Sequence, residues 1–120
     1  MIDAWTRPTP PGVADAAIYL TVENRGAPDD RLVGARSDHC IVVTPHRTST
    51  DDAGITSMDE VGDEHLEVAA GTPLILEPNG LHLMCLGIEP ALELGDTLDL
   101  ELLFADHAPT AVVVHTERRP

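Results

Sequence analysis

The chain has 120 residues, a length typical of one domain, and its 21 acidic residues against 7 basic ones give a formal net charge of -14. This charge argues against binding to a nucleic-acid backbone or an anionic membrane surface, and it favours a cation or a basic protein partner. Hydrophobic residues make up 42% of the chain, and the only aromatic residues are Trp5, Tyr19 and Phe104, so we expect a folded domain with an aliphatic core.

Short apolar segments separated by turn residues predict an all-β chain. Residues 1–12 are rich in proline and are expected to form an extended lead-in, and residues 116–120 are expected to form a tail. Between them we predict strands at 16–23, 31–35, 40–44, 74–77, 81–88, 97–104 and 110–115, with hairpin arms at 47–50 and 55–58. No segment keeps a helical period for three turns, so the pattern indicates a sandwich or barrel of seven or eight strands in a single domain, residues 1–120.

Three turn signals define the predicted strand ends. Pro45 is expected to stop the strand at 40–44, because proline lacks a backbone donor. Residues 51–54 are expected to join the two hairpin arms. The pair Asn79-Gly80 predicts a tight hairpin between the strands at 74–77 and 81–88.

The segment Leu81-His82-Leu83-Met84-Cys85 carries the most informative side chains. If it forms a strand, His82 and Met84 leave on one face, about 7 Å apart along the chain, and Cys85 points to the other face. An imidazole and a thioether on one face make half of a soft-metal site. Met58 and His46 lie on the two sides of the predicted hairpin turn and are candidates for the other half.

Other kinds of site are weakly represented in the sequence. It contains neither the closely spaced Cys/His pairs of a zinc site nor a glycine-rich phosphate loop. His65, His107 and His115 fall in segments expected to be exposed. The two cysteines, Cys40 and Cys85, are consistent either with one disulfide bridge or with two small buried thiols.

The sequence resembles the PCuAC family of periplasmic copper chaperones, whose motif is H-x10-M-x21-H-x-M. The similarity extends over nearly the whole chain. It includes Ala4-Trp5 with Arg7, the segments 17–24 and 29–35, and above all Pro78-Asn79-Gly80-Leu81-His82-Leu83-Met84.

The resemblance implies a cupredoxin-like Greek-key fold and one Cu(I) per chain, bound by His46, Met58, His82 and Met84. The spacing departs from the motif, because 11 residues separate His46 from Met58 and 23 separate Met58 from His82. Both insertions fall across turn-like sequence, at 51–54 and between 62 and 71, where added residues are tolerated. His39 is the alternative to His46 as the first histidine ligand.

The resemblance also implies a function. The protein would be a monomer in the periplasm or another extracytoplasmic space, with its leader absent from this chain. It would not be an enzyme, and it would deliver Cu(I) to the CuA subunit of cytochrome c oxidase or to another copper chaperone. A cupredoxin electron-transfer site would need a cysteine thiolate ligand, and Cys85 is predicted to point away from His82. The alternative hypothesis is a metal-free, acidic β-sandwich module that binds a basic protein partner.

Overall fold

Strands make up most of the regular structure. The computed structural model describes residues 2–9, 12–23, 29–62, 66–88 and 91–118. These ranges contain the strands β1 (Ile2–Thr6), β2 (Ala16–Val22), β3 (Asp30–Arg36), β4 (Val42–Thr50), β5 (Thr56–Glu60), β6 (Glu67–Val68), β7 (Leu74–Leu76), β8 (Leu81–Leu86), β9 (Thr97–Phe104) and β10 (Thr110–Thr116). Within the same ranges, no helix has the length and apolar character needed to cross a membrane.

Seven of these strands form a closed barrel. Neighbouring strands follow the order β4-β8-β2-β1-β10-β9-β3, and β3 pairs again with β4 through Ala35 and Val43. The three other strands are additions to this barrel, because β5 pairs with β4, β6 with β3 and β7 with β2. The predicted all-β, cupredoxin-like Greek-key class is confirmed, and the seven or eight predicted strands compare with a seven-stranded barrel that carries three added strands.

The interior of the barrel is aliphatic, as the composition predicts. Ile18, Leu83 and Leu102 are each at most 1% exposed and belong to one continuous cluster. Trp5 and Tyr19 lie outside that cluster, on the outer face of β1 and β2, although both are buried. The outer face of β1 and β2 is therefore shielded from solvent at Trp5 and Tyr19, and this face adjoins the candidate site described below.

Cys40 and Cys85 form a disulfide bridge, which decides between the two alternatives left open by the sequence. The bridge joins the segment before β4 to β8, and its Cα atoms are 5.5 Å apart. Cys85 is fully buried in the core and follows the inward-facing Leu83, so it lies on the opposite face of β8 from His82 and Met84.

The N-terminal segment contains a strand that the sequence analysis did not predict. Residues 2–6 of the expected lead-in form β1, which is antiparallel to β2 and parallel to β10. The prolines that suggested an irregular lead-in begin only after this strand, at Pro8. At the other end, Thr116 of the expected tail is the last residue of β10.

The prediction that Pro45 stops a strand is wrong, because β4 continues through it from Val42 to Thr50. The Pro45 carbonyl accepts the backbone N–H of Val61 at 3.0 Å. The edge of Pro45 that carries its carbonyl therefore faces Val61, one residue beyond the end of β5. A backbone N–H on this edge would lie outside the ladder between β4 and β5, so its absence removes no hydrogen bond from the interior of that ladder. Since β4 is not interrupted, His46 lies within a strand and not in a loop.

The predicted hairpin at Asn79-Gly80 is also wrong. Asn79 does have the positive φ of 68° that a tight turn requires. However, β7 and β8 do not pair with each other, because both are antiparallel to β2 and follow each other along it. The turn is an insertion between two segments that pair with the same strand, β2. It brings the Gly80 carbonyl beside β4, where the carbonyl accepts the Thr48 N–H at 3.0 Å.

Candidate metal centre

Three neighbouring strands bring the four predicted ligand residues to one face of the sheet. On β4, Val43 points into the core, so Thr44, His46 and Thr48 point outward. Directly opposite them on the adjacent strands, His46 pairs with His82, Thr44 with Met84, and Thr48 with Met58. Side chains of directly opposed residues share a face, so both histidines and both methionines lie on the same outer face.

The two imidazole rings face each other across β4 and β8. Their centroids are 6.0 Å apart and their planes are inclined by 28°. His82 donates from Nδ1 to the Gly80 carbonyl at 3.2 Å, and His46 Nε2 is hydrogen-bonded to Thr44 Oγ1 at 2.9 Å. Each ring is thus oriented through one of its nitrogens by a residue two positions earlier in the chain.

The second nitrogen of each ring has a different environment. His46 Nδ1 and His82 Nε2 are buried, and neither has a hydrogen-bond partner among the described residues. Buried polar atoms normally have a hydrogen-bond partner, so these two nitrogens on facing rings are candidates to bind a ligand. A ring whose other nitrogen donates to an oxygen presents a lone pair, which is how metal-bound histidines are usually held. The donor chemistry therefore fits a metal ion.

Burial favours the neutral form of His82. Only 1% of the residue is exposed, and desolvation is the main cause that lowers the pKa of His82 below its usual value. The hydrogen bond to Gly80 opposes this shift, and the nearby His46 adds to it. A neutral imidazole is the form that binds metals.

The four candidate ligands differ in their access to solvent, because His82 is buried and His46 is half-buried. Met58 is 52% exposed on the outermost strand β5, and Met84 is half-buried on β8. Both line one cavity of about 250 Å³. His82 is therefore the most buried of the four candidate ligands, Met58 is the most exposed, and the cavity lies on the thioether side.

A stack of side chains from β1 and β2 packs beside His82. The Tyr19 ring meets His82 edge-on at a centroid distance of 6.2 Å, and Trp5 packs on Tyr19 at 4.8 Å. The Arg7 guanidinium lies 5.5 Å from the Trp5 ring centre and 5.6 Å from that of Tyr19. We did not predict this stack, because it depends on the pairing of β1 with β2; the alternation of Trp5 with the buried Ala4 and Thr6 is the only local signal for it.

The structure describes three other histidines, His39, His107 and His115. His39 is in the turn before β4, and the described interactions include no contact between its ring and His82 or the methionines. His115 is exposed on β10, and His65 lies outside the described residues. The alternative first ligand, His39, is therefore less well placed than His46.

His107 interacts with a carboxylate whose burial the sequence does not reveal. Its ring donates from Nδ1 to Asp30, which is 8% exposed and also accepts the backbone N–H of Arg31 at 2.7 Å and of Asp106 at 3.0 Å. Burial alone would raise the pKa of Asp30, but these three hydrogen bonds outweigh it and hold the pKa below its usual value. Asp30 therefore fastens the loop between β9 and β10 to the start of β3.

Hard-metal sites built from carboxylates are not found in the part of the chain that the structure describes. There, no group of three or more histidine, cysteine, aspartate or glutamate side chains is arranged to hold a metal ion. The face formed by β4, β5 and β8 combines two imidazoles with two thioethers, a donor set of a different and softer kind.

Comparisons with known sequences agree with this architecture. The profile of the family described as "Putative lipoprotein LpqE-like" matches residues 1–116. "Putative lipoprotein Lxx21020" from Leifsonia xyli subsp. xyli is 31% identical over 111 residues, which are 92% of this chain and 64% of that protein. The chain thus spans less than two thirds of that relative's length.

Solved structures with the same fold include several PCuAC domains. The copper-bound PCuAC domain from PmoF2 superposes with a TM-score of 0.76 at 21% identity, covering 98% of this chain and 92% of that domain. The apo PCuAC domain from PmoF1 gives 0.77 at 17% identity, with the same coverage of 98% and 92%. The Cu(I) form of DR1885 from Deinococcus radiodurans gives 0.74 at 26% identity, covering 98% of this chain and 76% of that one.

The PCuAC resemblance that the sequence motif suggested is therefore confirmed at the level of fold and family. The chain belongs to the LpqE-like family, which is a family of the PCuAC type.

Proposed function

We propose that this chain is an extracytoplasmic copper chaperone that binds one Cu(I) through His46, Met58, His82 and Met84. The observation that carries the proposal is the pair of facing histidines, each with one buried nitrogen that has no hydrogen-bond partner among the described residues. Two thioethers on the same face complete a set of four donors.

The donor chemistry favours Cu(I) over harder metals. Thioethers are soft and neutral, and neutral imidazole is a good copper ligand, whereas Mg²⁺ and Ca²⁺ require oxygen donors. Four neutral ligands leave the bound ion with its charge of +1. The acidic chain, with its net charge of -14, provides a favourable field for a cation.

The relatives support the same function. Two of the solved structures with this fold are described as copper-bound or as a Cu(I) form. The LpqE-like family and the Leifsonia protein are both described as lipoproteins, which supports an extracytoplasmic location. A disulfide bridge is consistent with such an oxidising compartment.

We further propose that the protein acts as a monomeric carrier and not as an enzyme. By the PCuAC resemblance, its acceptor is the CuA subunit of cytochrome c oxidase or another copper chaperone. Ligand exchange at a site with two thioethers suits this role, because the metal is held without any anionic ligand.

A titration of the reduced metal against the apo protein tests the proposal. With a chromophoric Cu(I) competitor, we expect saturation at one equivalent in the wild type and a weaker complex in Met84→Ala. Absence of saturable binding would instead favour the metal-free interaction module.

A further inference from the structure

The cavity beside the candidate centre is lined by the two methionines. Met58 and Met84 line the cavity of about 250 Å³, whereas His46 and His82 are not among the described residues that line it. A ligand that enters from this cavity reaches the two thioethers first. Thioethers are neutral, so a thiolate, the charged form in which cysteine binds metals, is able to displace them from Cu(I).

Two charged residues, Arg7 and Asp15, line the same cavity, and Arg7 is the basic one. Its guanidinium lies over the rings of Trp5 and Tyr19, a contact that holds a cation in place. Within the described ranges, no salt bridge joins Arg7 to a carboxylate. Asp15 also lines the cavity, and its Oδ1 accepts the backbone N–H of Gly87 at 3.2 Å.

This local charge contrasts with the rest of the molecule. A chain with a net charge of -14 repels anions from most of its surface. A guanidinium among the lining residues adds a local positive charge near the methionines, where an incoming donor would meet them. A neutral thioether or imidazole gains little from such a charge, whereas a compact anion is attracted by it.

We propose that this cavity receives a thiolate side chain of the copper acceptor and that Arg7 selects an anionic donor there; the inference rests on the proposed function. In the exchange, the bond between Cu(I) and a methionine sulfur breaks, and a bond between Cu(I) and the thiolate sulfur forms. Copper stays in the +1 state, so neither an oxidant nor a reductant is needed. The proton of the acceptor thiol passes to solvent.

Transfer kinetics with two small probes test the selection. Dithiothreitol supplies a thiolate, and neocuproine is an uncharged Cu(I) ligand. We expect Arg7→Gln to slow transfer to dithiothreitol roughly tenfold at low ionic strength and to leave transfer to neocuproine within about twofold of wild type. Arg7→Lys, which keeps the charge, should slow the thiolate reaction less, and added salt should reduce the effect.

The matched control is Arg118→Gln, which removes the same charge from an exposed residue that is not among those lining the cavity. It should leave both rates within about twofold of wild type. Equal slowing with both probes, equal slowing in both variants, or no slowing in Arg7→Gln would each overturn the inference.

A second readout needs no copper. Trp5 is the only tryptophan of the chain, lies beneath Arg7 and is 8% exposed, so contact quenching of its fluorescence reports on anions that reach this exposed edge. We expect the ratio of iodide to acrylamide quenching constants to fall in Arg7→Gln and to stay unchanged in Arg118→Gln. An unchanged ratio in Arg7→Gln would contradict the proposed anion selection.

Cu(I) affinities separate this inference from the proposed function. If the wild type shows no saturable Cu(I) binding, the proposed function fails and this inference fails with it. If binding is normal in both Arg7 variants and transfer does not depend on Arg7, only this inference is overturned. A loss of Cu(I) affinity in Arg7→Gln that accounts for its slower transfer would also overturn it, because Arg7 would then act on binding and not on exchange.

Discussion

His46 and His82 are directly opposed residues on neighbouring antiparallel strands, and their rings stand 6.0 Å apart. This pairing turns two histidines that are 36 positions apart in the sequence into one two-nitrogen unit. Each ring is oriented from one side by a hydrogen bond, to Thr44 or to Gly80, and keeps a buried second nitrogen.

His46 and His39 are distinguished by a pair of matched variants. We expect His46→Ala to weaken Cu(I) binding by at least about tenfold, or about 1.4 kcal/mol, because it removes one of the facing nitrogens. His39→Ala should leave the affinity within about twofold, since His39 lies in the turn before β4. Competition titrations with the same Cu(I) chelator compare the two, and the reverse order of effects would reassign the first ligand.

Met84→Leu separates the contribution of the Met84 sulfur to Cu(I) binding from the contribution of the side chain to packing. The substitution nearly conserves side-chain volume, so the free energy of unfolding should change by less than about 1.5 kcal/mol. Cu(I) affinity should nevertheless fall at least about tenfold, because leucine offers no donor atom. Urea denaturation and Cu(I) competition measure the two quantities.

The matched control for this variant is Val113→Ala, at a half-exposed position on β10 outside the candidate centre. It should leave Cu(I) affinity unchanged. Wild-type affinity in Met84→Leu would remove Met84 from the proposed ligand set.

The disulfide should contribute strongly to stability. It closes a loop with a sequence separation of 45 residues, for which chain entropy predicts about 4 kcal/mol. We expect Cys40→Ala to lower the free energy of unfolding by about this amount, as measured by urea denaturation. A reductant should destabilise the wild type and leave Cys40→Ala unaffected; equal sensitivity of both proteins to reductant would show that the bridge is not the cause.

Asp30 should make stability depend on pH in the acid range. Its pKa is lower in the folded protein than in the unfolded chain, so the unfolded chain takes up the proton more readily as the pH falls. The stabilisation is complete above the unfolded pKa of about 3.9 and is lost as the pH falls through the lower pKa of the folded protein. Thermal unfolding at a series of pH values should show this loss.

The comparison variant is Asp30→Asn, which has no titrating carboxyl group and weakens the contact with His107. We expect it to be less stable than the wild type at neutral pH and to lose less stability on acidification. Parallel pH profiles for the two proteins would exclude Asp30 as the titrating group.

The sequence predicts the features that depend on local pattern. The alternation in Thr97–Phe104 matches β9 residue for residue, and the apolar run that starts at Leu81 is β8. The same local pattern predicts that His82 and Met84 share a face and that Cys85 points away, as the structure has it.

The features that the sequence does not predict depend on contacts between distant segments. Pro45 is tolerated inside β4 because the edge on which it lacks an N–H lies beyond the last pair between β4 and β5. The local sequence does not reveal where this pairing ends. Asn79-Gly80 has the residue types of a hairpin turn, but the flanking strands β7 and β8 both pair with the longer strand β2 and not with each other. The stack of Arg7, Trp5 and Tyr19 likewise arises only from the pairing of β1 with β2.

The most direct test of the proposed copper site is an NMR titration of the apo protein with Cu(I), using ¹³C-methyl methionine and labelled histidine rings. We expect the methyl signals of Met58 and Met84 and the ring signals of His46 and His82 to shift together and to stop shifting at one equivalent. Methionine methyl signals that do not move, or shifts that saturate at His39, His107 or His115 instead, would contradict the proposed copper site.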